Sequence, residues 1–322
     1  MQSQASKGEQ IMRCPTLSEL PPPPKGKKGW PWTEETPQLP ETMPGGMPWP
    51  RVSIVTPSYN QGRFIEETIR SVLLQGYPEL EYIIIDGGST DSSVEIIKKY
   101  EKWLTYWVSE PDRGQSHAIN KGFEKATGEI YSWLNSDDYL LKDALKNVAT
   151  AYNASPRAGA WCGGALLVNR DNRILMVRWP KVLNKEGIAN WHQNSFQQSA
   201  CFFSKSAWEK CKPLDENLHY AMDFDLWLRV AGAFSIEKAS HVLSADHVHA
   251  NAKTYKEMGH MYAEIFVIQI RHGYDRLAIE EVSKWFNEYA SLKRKLGQFF
   301  RFPLFRVFKP IAQYAWEKLL GV

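Results

Sequence analysis

RVSIVTPSYNQGRFIEETIRSVLLQGYPELEYIIIDGGSTDSS, residues 51–93, decides the fold. RVSIVTPSY opens it as a short β-type run. Helical periodicity follows from Arg63 to Gln75, where Ile65, Ile69, Val72 and Leu73 recur on one face and Gly76 suits the stop. Tyr82 to Asp86 is apolar up to its aspartate, as a strand covered on both faces would be. Ser92 and Glu95 have capping-box spacing ahead of VEIIKKYEKW. Strand, helix, strand, helix in this order predicts an α/β fold built on a parallel sheet.

Reading toward the C-terminus, TYWVSE leads through DRG into a helix expected over Gln115–Ala126, with Ala118, Ile119, Gly122, Phe123 and Ala126 on its apolar face. EIYSWLNSDDYL reads as a strand that ends in acids. Ligands in such sheets bind outside the carboxyl ends of the strands, so Asp86 and the Asp137/Asp138 pair are expected to share one crevice. Trp161 to Val177 reads as strands, Lys181 to Ser199 as a polar and aromatic loop beside the substrate, and AMDFDLWLRVAG (residues 221–232) as the start of a helix. Residues 256–292 look helical. Between Lys293 and Lys309 six basic residues interleave with five phenylalanines and no acid, a composition suited to an anionic membrane surface over residues 293–320.

Toward the N-terminus, residues 1–50 hold eleven of the 19 prolines, which rules out a regular helix or central strand. Trp30, Trp32 and Trp49 need a surface to cover, so this segment is expected as an extended arm lying on the main domain, with a partner-recruiting tail as the rival. Over all 322 residues the chain is 43% hydrophobic and 23% charged, as a folded globular protein is. A net charge of +3 gives no case for nucleic-acid binding. Cys14, Cys162, Cys201 and Cys211 fit neither a metal knuckle nor a CxxC redox pair and are expected as reduced thiols of a cytoplasmic protein. No run reaches the roughly 18 apolar residues of a membrane span, and the N-terminus lacks the apolar core of a signal peptide. Peripheral attachment at the inner face of the plasma membrane remains open.

The acidic positions suggest a chemistry. A nucleoside diphosphate leaving group gains negative charge as a glycosidic bond breaks, a divalent cation offsets it, and hard cations take carboxylate oxygens. Adjacent Asp137 and Asp138 repel unless a cation lies between them, although a solvated surface pair is the plain alternative. An acceptor hydroxyl needs a base. Asp223 and Asp225 stand at a helix start, where one could serve the helix dipole and the other remain for catalysis. His247 and His249 recur at a strand spacing without further zinc ligands. His249 is a candidate for a diphosphate or metal shell, Lys253 for a phosphate counter-charge, and both histidines could instead be structural. Tyr59 could stack on a nucleobase and Asp86 accept from a base N–H, though a tyrosine there could simply pack. The first strand continues as TPSYNQG rather than GxGxxG, which argues against a dinucleotide oxidoreductase.

Residues 51–93, SEPDRGQSHAINKGFEKATGEIYSWLNSDDYL and MDFDLWLR together closely resemble family 2 glycosyltransferases with the GT-A fold, over roughly residues 51–255. The resemblance implies a Rossmann-like mixed, mainly parallel sheet flanked by helices, with a nucleotide-binding half (51–140) and an acceptor-side half (141–255). Residues 1–50, the arm, and 256–322, a helical extension, stand outside it. It further implies an inverting enzyme that uses Mg²⁺ or Mn²⁺ and moves a sugar from a nucleoside-diphosphate sugar, UDP favoured, to a saccharide or lipid-linked saccharide acceptor in polysaccharide, cell-surface glycan or glycolipid synthesis. An inactive sugar- or nucleotide-binding homologue is the alternative. By position, the nucleotide would be held by Pro57, Tyr59, Asp86, Asp112, Arg113, Asp137 and Lys253, the metal by Asp138 and His249, and the base would be Asp223. Gly87 replaces a frequent second acid after Asp86, Asn135 replaces the leading acid of the strictest DxD form, and Met222 replaces a frequent glutamate.

Overall fold

The computed structural model describes residues 13–191, 194, 197–248 and 257–299. Strand β1 (Val52–Ser58) and strand β2 (Leu80–Asp86) are buried along their whole length, which is what their unbroken apolar runs require. Helix α1 (Ile65–Leu73) joins them and buries Ile65, Ile69, Val72 and Leu73, the face its periodicity marked. Removing each such side chain from water stabilises by roughly 1.5–3 kcal/mol. Helix α2 (Ser93–Tyr100) leads to β3 (Tyr106–Ser109), and helix α3 (Gln115–Phe123) to β4 (Ile130–Trp133). β3, β2, β1 and β4 lie side by side and parallel.

The chain after β4 continues the same sheet in mixed sense. It comprises β5 (Asp138–Leu140), α4 (Ala144–Ala154), β6 (Ala160–Val168), β7 (Ile174–Arg178) and α5 (Lys185–Ala189), followed by β8 (Cys201–Ser204), α6 (Lys205–Cys211), α7 (Met222–Ala233) and β9 (Ile236–His247). The sheet order is β3-β2-β1-β4-β8-β6-β9-β5, with β7 paired to β6. β8 runs antiparallel to both β4 and β6, and β9 runs parallel to β6. The fold class is the mixed α/β arrangement expected from the sequence.

Three local expectations need correction. EIYSWLNSDDYL is two strands, because the chain turns over Leu134–Asp137 and Asp138 opens β5 against β9. The Ser92–Glu95 capping box does not form; the Asp91 carboxylate takes the Ser93 amide at 2.9 Å and the Gly62 amide at 2.8 Å instead. Residues 181–199 include helix α5, whose start is capped by the Asn184 side chain accepting from the Gly187 amide at 2.8 Å.

The arm packs on the α1 side of the domain. Cys14, Leu20, Met43 and Trp49 join its hydrophobic core, and Trp32 is buried. Arg70 of α1 is fully buried and donates to the carbonyls of Pro21, Pro31 and Trp32 and to Tyr100 Oη. These carbonyls cannot pair in a sheet ladder because the proline-rich chain forms none, so the guanidinium fork satisfies them. At Gly76 the backbone has φ +62°, and a Cβ would lie 2.3 Å from the Pro37 carbonyl oxygen, so glycine lets the arm cross there. All four cysteines are buried and unpaired; Cys162 and Cys201 are register partners on β6 and β8.

The chain divides into two compact units, residues 1–265 and 266–322. Helix α8 (Met258–Arg271) spans the division, and α9 (Asp275–Phe299) belongs to the second unit. α9 leaves Ile279, Phe286, Tyr289 and Leu292 exposed. No described helix is long and apolar enough to cross a membrane. The basic and aromatic segment after Phe299 lies outside the described residues.

Candidate active site

The loops at the carboxyl ends of β1, β2 and β3 converge. Pro57 and Ser58 close β1 in register with Ile85 and Asp86, and the Gly87 amide donates to the Ser58 carbonyl at 2.8 Å. Tyr59 follows, 62% exposed. Asp86 is fully buried and accepts from the Gly88 amide (3.2 Å), the Ser89 amide (2.8 Å), Ser89 Oγ (2.5 Å) and Ser109 Oγ (2.7 Å). A carboxylate has about four acceptor positions, so Asp86 is occupied in organising its own turn. Asp112 lies across that turn, half-buried, with Oδ1 accepting from the Gly114 amide at 2.7 Å. Arg113 is paired to Glu216 at 2.7 Å.

From the start of α3 a line of side chains runs to the acidic turn. Gln115 Nε2 donates to Asn135 Oδ1 at 2.7 Å, and Asn135 Nδ2 donates to Asp138 Oδ2 at 3.2 Å. Asn135, standing where an acid was the stricter expectation, thus joins two segments as an amide can, donating and accepting at once. Asp138 is buried, and Oδ1 receives the His247 amide at 3.3 Å. Burial raises its carboxyl well above the ordinary range, with the Asp246 and Asp137 carboxylates raising it further. Asp246 is half-buried and pushed up to about 6 by burial and by Asp137, against the Ser199 hydroxyl bound to it and Arg178, which lower it.

Asp246 was not singled out in the sequence. It stands beside His247 in ADHVH, and only the pairing of β5 with β9 sets it opposite Asp138. His247 itself is a brace. Its Nδ1 meets the Asp137 carbonyl at 2.6 Å, its Nε2 meets Asn172 Oδ1 at 2.7 Å, and its ring lies between Phe64 and Tyr139. His249 and Lys253 lie outside the described residues.

Asp223 stands in the first turn of α7. Trp227, one turn further along α7, stacks on Trp133 at the end of β4 at 6.3 Å with the rings 11° from coplanar. That contact sets the start of α7 against the strand end that leads into Asn135–Asp138. The buried Cys201 thiol is raised by burial and by Cys162, and further by the charges of Asp223 and Asp246. The segment before α7 is pinned by Glu264, which accepts the amides of His219, Tyr220 and Ala221 at 2.8, 2.8 and 2.9 Å. Asp223 is half-buried and raised to about 6, mainly by burial and slightly by Glu264, while the Phe224 amide at 2.8 Å opposes the rise. Asp225, the other acid of the motif, is buried and paired to Arg229 at 2.9 Å, a structural role.

The acidic turn suits a hard divalent cation in part. Buried Asp138, raised by the half-buried Asp246 and Asp137 beside it, would be stabilised by a cation among them. Among the described residues, no three acidic, histidine or cysteine side chains are gathered closely enough to enclose an ion. A partial carboxylate shell of that kind matches an ion that takes its remaining oxygens from a bound phosphate and water.

Acids gathered around one end of a mixed α/β sheet stand where such domains bind ligands. Residues 53–207 match the model of the Glycosyl transferase family 2. An uncharacterized glycosyltransferase of Mycobacterium tuberculosis is 40% identical over 186 residues, covering 56% of this chain and 69% of that protein. The chain belongs to glycosyl transferase family 2. Other curated relatives are matched over 22–66% of their own length, so the chain spans less than two thirds of them. Among solved structures, Staphylococcus aureus TarS in complex with UDP-GlcNAc has a TM-score of 0.53 at 17% identity, over 68% of this chain and 66% of that one. The mannosyltransferase PcManGT of Pyrobaculum calidifontis, in complex with GDP-Man and Mn²⁺, has a TM-score of 0.51 at 18% identity, over 91% of both chains. These two share the GT-A fold with this chain.

Proposed function

We propose that the chain is an inverting glycosyltransferase that moves a sugar from a nucleoside-diphosphate sugar to an acceptor hydroxyl. The observation that carries this reading is Asp223, a half-buried carboxylate raised to about 6 at the start of α7, the helix whose Trp227 stacks on Trp133 at the end of β4. A base with that proton affinity is ionised near neutral pH and still basic enough to take a hydroxyl proton. Asp225 is committed to Arg229, so one base serves one displacement, and a single displacement inverts the anomeric centre.

In this reading Asp138 would hold a Mg²⁺ or Mn²⁺ ion, with Asp137 and Asp246 beside it. When bound, that ion offsets charge on the departing diphosphate. Asn135 and His247 keep Asp138 and the Asp137 backbone in place. Pro57 and Tyr59 would flank the nucleoside and Arg113 the phosphates, with His249 proposed as a metal ligand beside Asp138 and Lys253 as a phosphate counter-charge. The solved relatives bind a UDP-sugar and a GDP-sugar, one of them with Mn²⁺, which supports the donor class.

The acceptor is read as a saccharide or lipid-linked saccharide met at an anionic membrane surface. The support is the exposed apolar face of α9 together with the six basic residues and five phenylalanines between Lys293 and Lys309. A panel of nucleotide sugars, incubated with Mn²⁺ and then with EDTA, tests the enzyme. One donor consumed faster than the rest, in a metal-dependent way and not by Asp223→Asn, is expected. Nucleotide binding without consumption of any donor would instead describe a binding-only homologue.

A further inference from the structure

Strand β7 keeps neither of its faces on the protein. Leu166 pairs with Val177 and Leu167 with Met176, and neighbours along a strand point to opposite faces. Yet Ile174, Leu175, Met176 and Val177 are 61, 57, 52 and 46% exposed, so both faces are open. β6 is the one strand paired with β7 among the described residues. Four consecutive exposed apolar side chains on an edge strand mark a surface that another body covers.

The charges around the run say which body. Residues 170–181, RDNRILMVRWPK, carry Arg170, Arg173, Arg178 and Lys181 against one acid, Asp171. Arg170 and Arg173 are exposed at the hairpin turn and Lys181 is exposed beyond the strand, so cations bracket the apolar run at both ends. Trp179 follows it, half-buried against Gly164. An apolar centre, cationic ends and an adjoining tryptophan fit a surface that is apolar within and anionic at its face, which is an anionic lipid bilayer. A second copy paired edge to edge would instead bring the same cations together.

We propose that the β6–β7 hairpin docks on an anionic bilayer, with Ile174–Val177 entering the headgroup region and Arg170, Arg173 and Lys181 meeting lipid phosphates. The hairpin is built to hold that pose. Asn169 Oδ1 accepts from the amides of Asp171 at 3.0 Å and Arg173 at 2.9 Å, which orders the turn. Asn172 donates to Glu67 Oε1 at 2.8 Å and meets His247 Nε2 at 2.7 Å. His247 also meets the Asp137 carbonyl, so the docking hairpin is fixed to the acidic turn. The surface lies within residues 1–265 and is separate from residues 293–309. It requires no sugar transfer, so failure of the transferase reading would leave it standing.

Met176→Cys in the full chain, labelled with the environment-sensitive dye NBD, tests this. The native cysteines are buried, which directs the label to position 176. Vesicles of phosphatidylglycerol and phosphatidylcholine should shift the NBD emission to the blue, and nitroxides on the lipid chains should quench it. In vesicle flotation, Leu175→Ser with Val177→Ser should weaken partitioning about tenfold or more, with the melting temperature unchanged because both side chains are exposed. Arg170→Gln with Arg173→Gln should weaken it about tenfold. A label at 176 that stays unquenched while the chain floats would overturn the proposal, as would equal partitioning onto phosphatidylcholine alone, or no flotation. A chain that sediments as a dimer, and as a monomer once Leu175 and Val177 are replaced, would assign the edge to a second copy instead.

Discussion

Asp138 in β5 and Asp246 in β9 are register partners on adjacent antiparallel strands, and burial together with the Asp246 carboxylate holds the Asp138 carboxyl well above its ordinary range. Two acids set face to face out of water cost stability when ionised, and a cation or a phosphate-bound ion is the natural remedy. Mn²⁺ with UDP is therefore expected to raise the melting temperature of the unsubstituted chain more than UDP alone. Asp138→Asn should abolish the metal-dependent part, measured by scanning fluorimetry across a Mn²⁺ series.

Asp246 allows the sign of the effect to be checked without a metal. Its carboxyl rises from about 3.8 to about 6 on folding, so the fold favours the neutral form. Stability from that preference is complete below the unfolded value and is lost as pH climbs through about 6. Asp246→Asn should thus stabilise by about 1–2 kcal/mol at pH 8, discounted for partial exposure, and by nothing near pH 3. Urea unfolding at the two pH values, in EDTA, measures the difference.

Asp223 predicts the pH profile of transfer. With a carboxyl raised to about 6, the ionised base is lost below that pH. The rate should rise about tenfold per unit below it and level off above. Asp223→Asn should abolish transfer across the whole range while leaving UDP affinity nearly unchanged. A profile flat between pH 5 and pH 8 in the active chain would exclude Asp223 as the base.

His247 braces the acidic turn from behind, through the Asp137 carbonyl and Asn172. His247→Phe keeps a ring between Phe64 and Tyr139 and removes both polar contacts. Mn²⁺ affinity, followed by calorimetry, should fall by about 10–100-fold, as it does when groups that orient metal ligands are removed.

Arg70 ties the arm to α1. Arg70→Met leaves the carbonyls of Pro21, Pro31 and Trp32 without their donor, at about 1–3 kcal/mol for each buried acceptor left unmet. Lower urea resistance and early proteolytic cleavage within residues 13–50 are the expected results.

Much of the stretch from β1 to β4 was legible in the sequence because its signals are local. Ile65, Ile69, Val72 and Leu73 mark one helical face, and the apolar run up to Asp86 marks a strand buried on both sides. The chain after β4 was less so. β8, only Cys201–Ser204, carries no alternation and owes its place to β4 and β6 on either side. EIYSWLNSDDYL reads as one strand ending in acids because Asp138–Leu140 is only three residues long and becomes β5 through its pairing with β9. At the site, residue types marked the Asp137/Asp138 and Asp223/Asp225 pairs, and the family resemblance chose Asp138 and Asp223 from them. Asp246 needed the β5–β9 register, and the engagement of Asp86 needed the positions of Ser89 and Ser109, which sequence spacing alone does not supply.

Soaking a crystal of the chain with UDP and Mn²⁺ and locating the manganese by its anomalous scattering probes the whole account in one step. The predicted peak lies against Asp138, with the diphosphate beside it and the Asp223 carboxylate facing the open side of the same crevice. A peak remote from Asp138, or a nucleotide bound where Asp223 cannot face it, would contradict the assignment of these acids to one reaction.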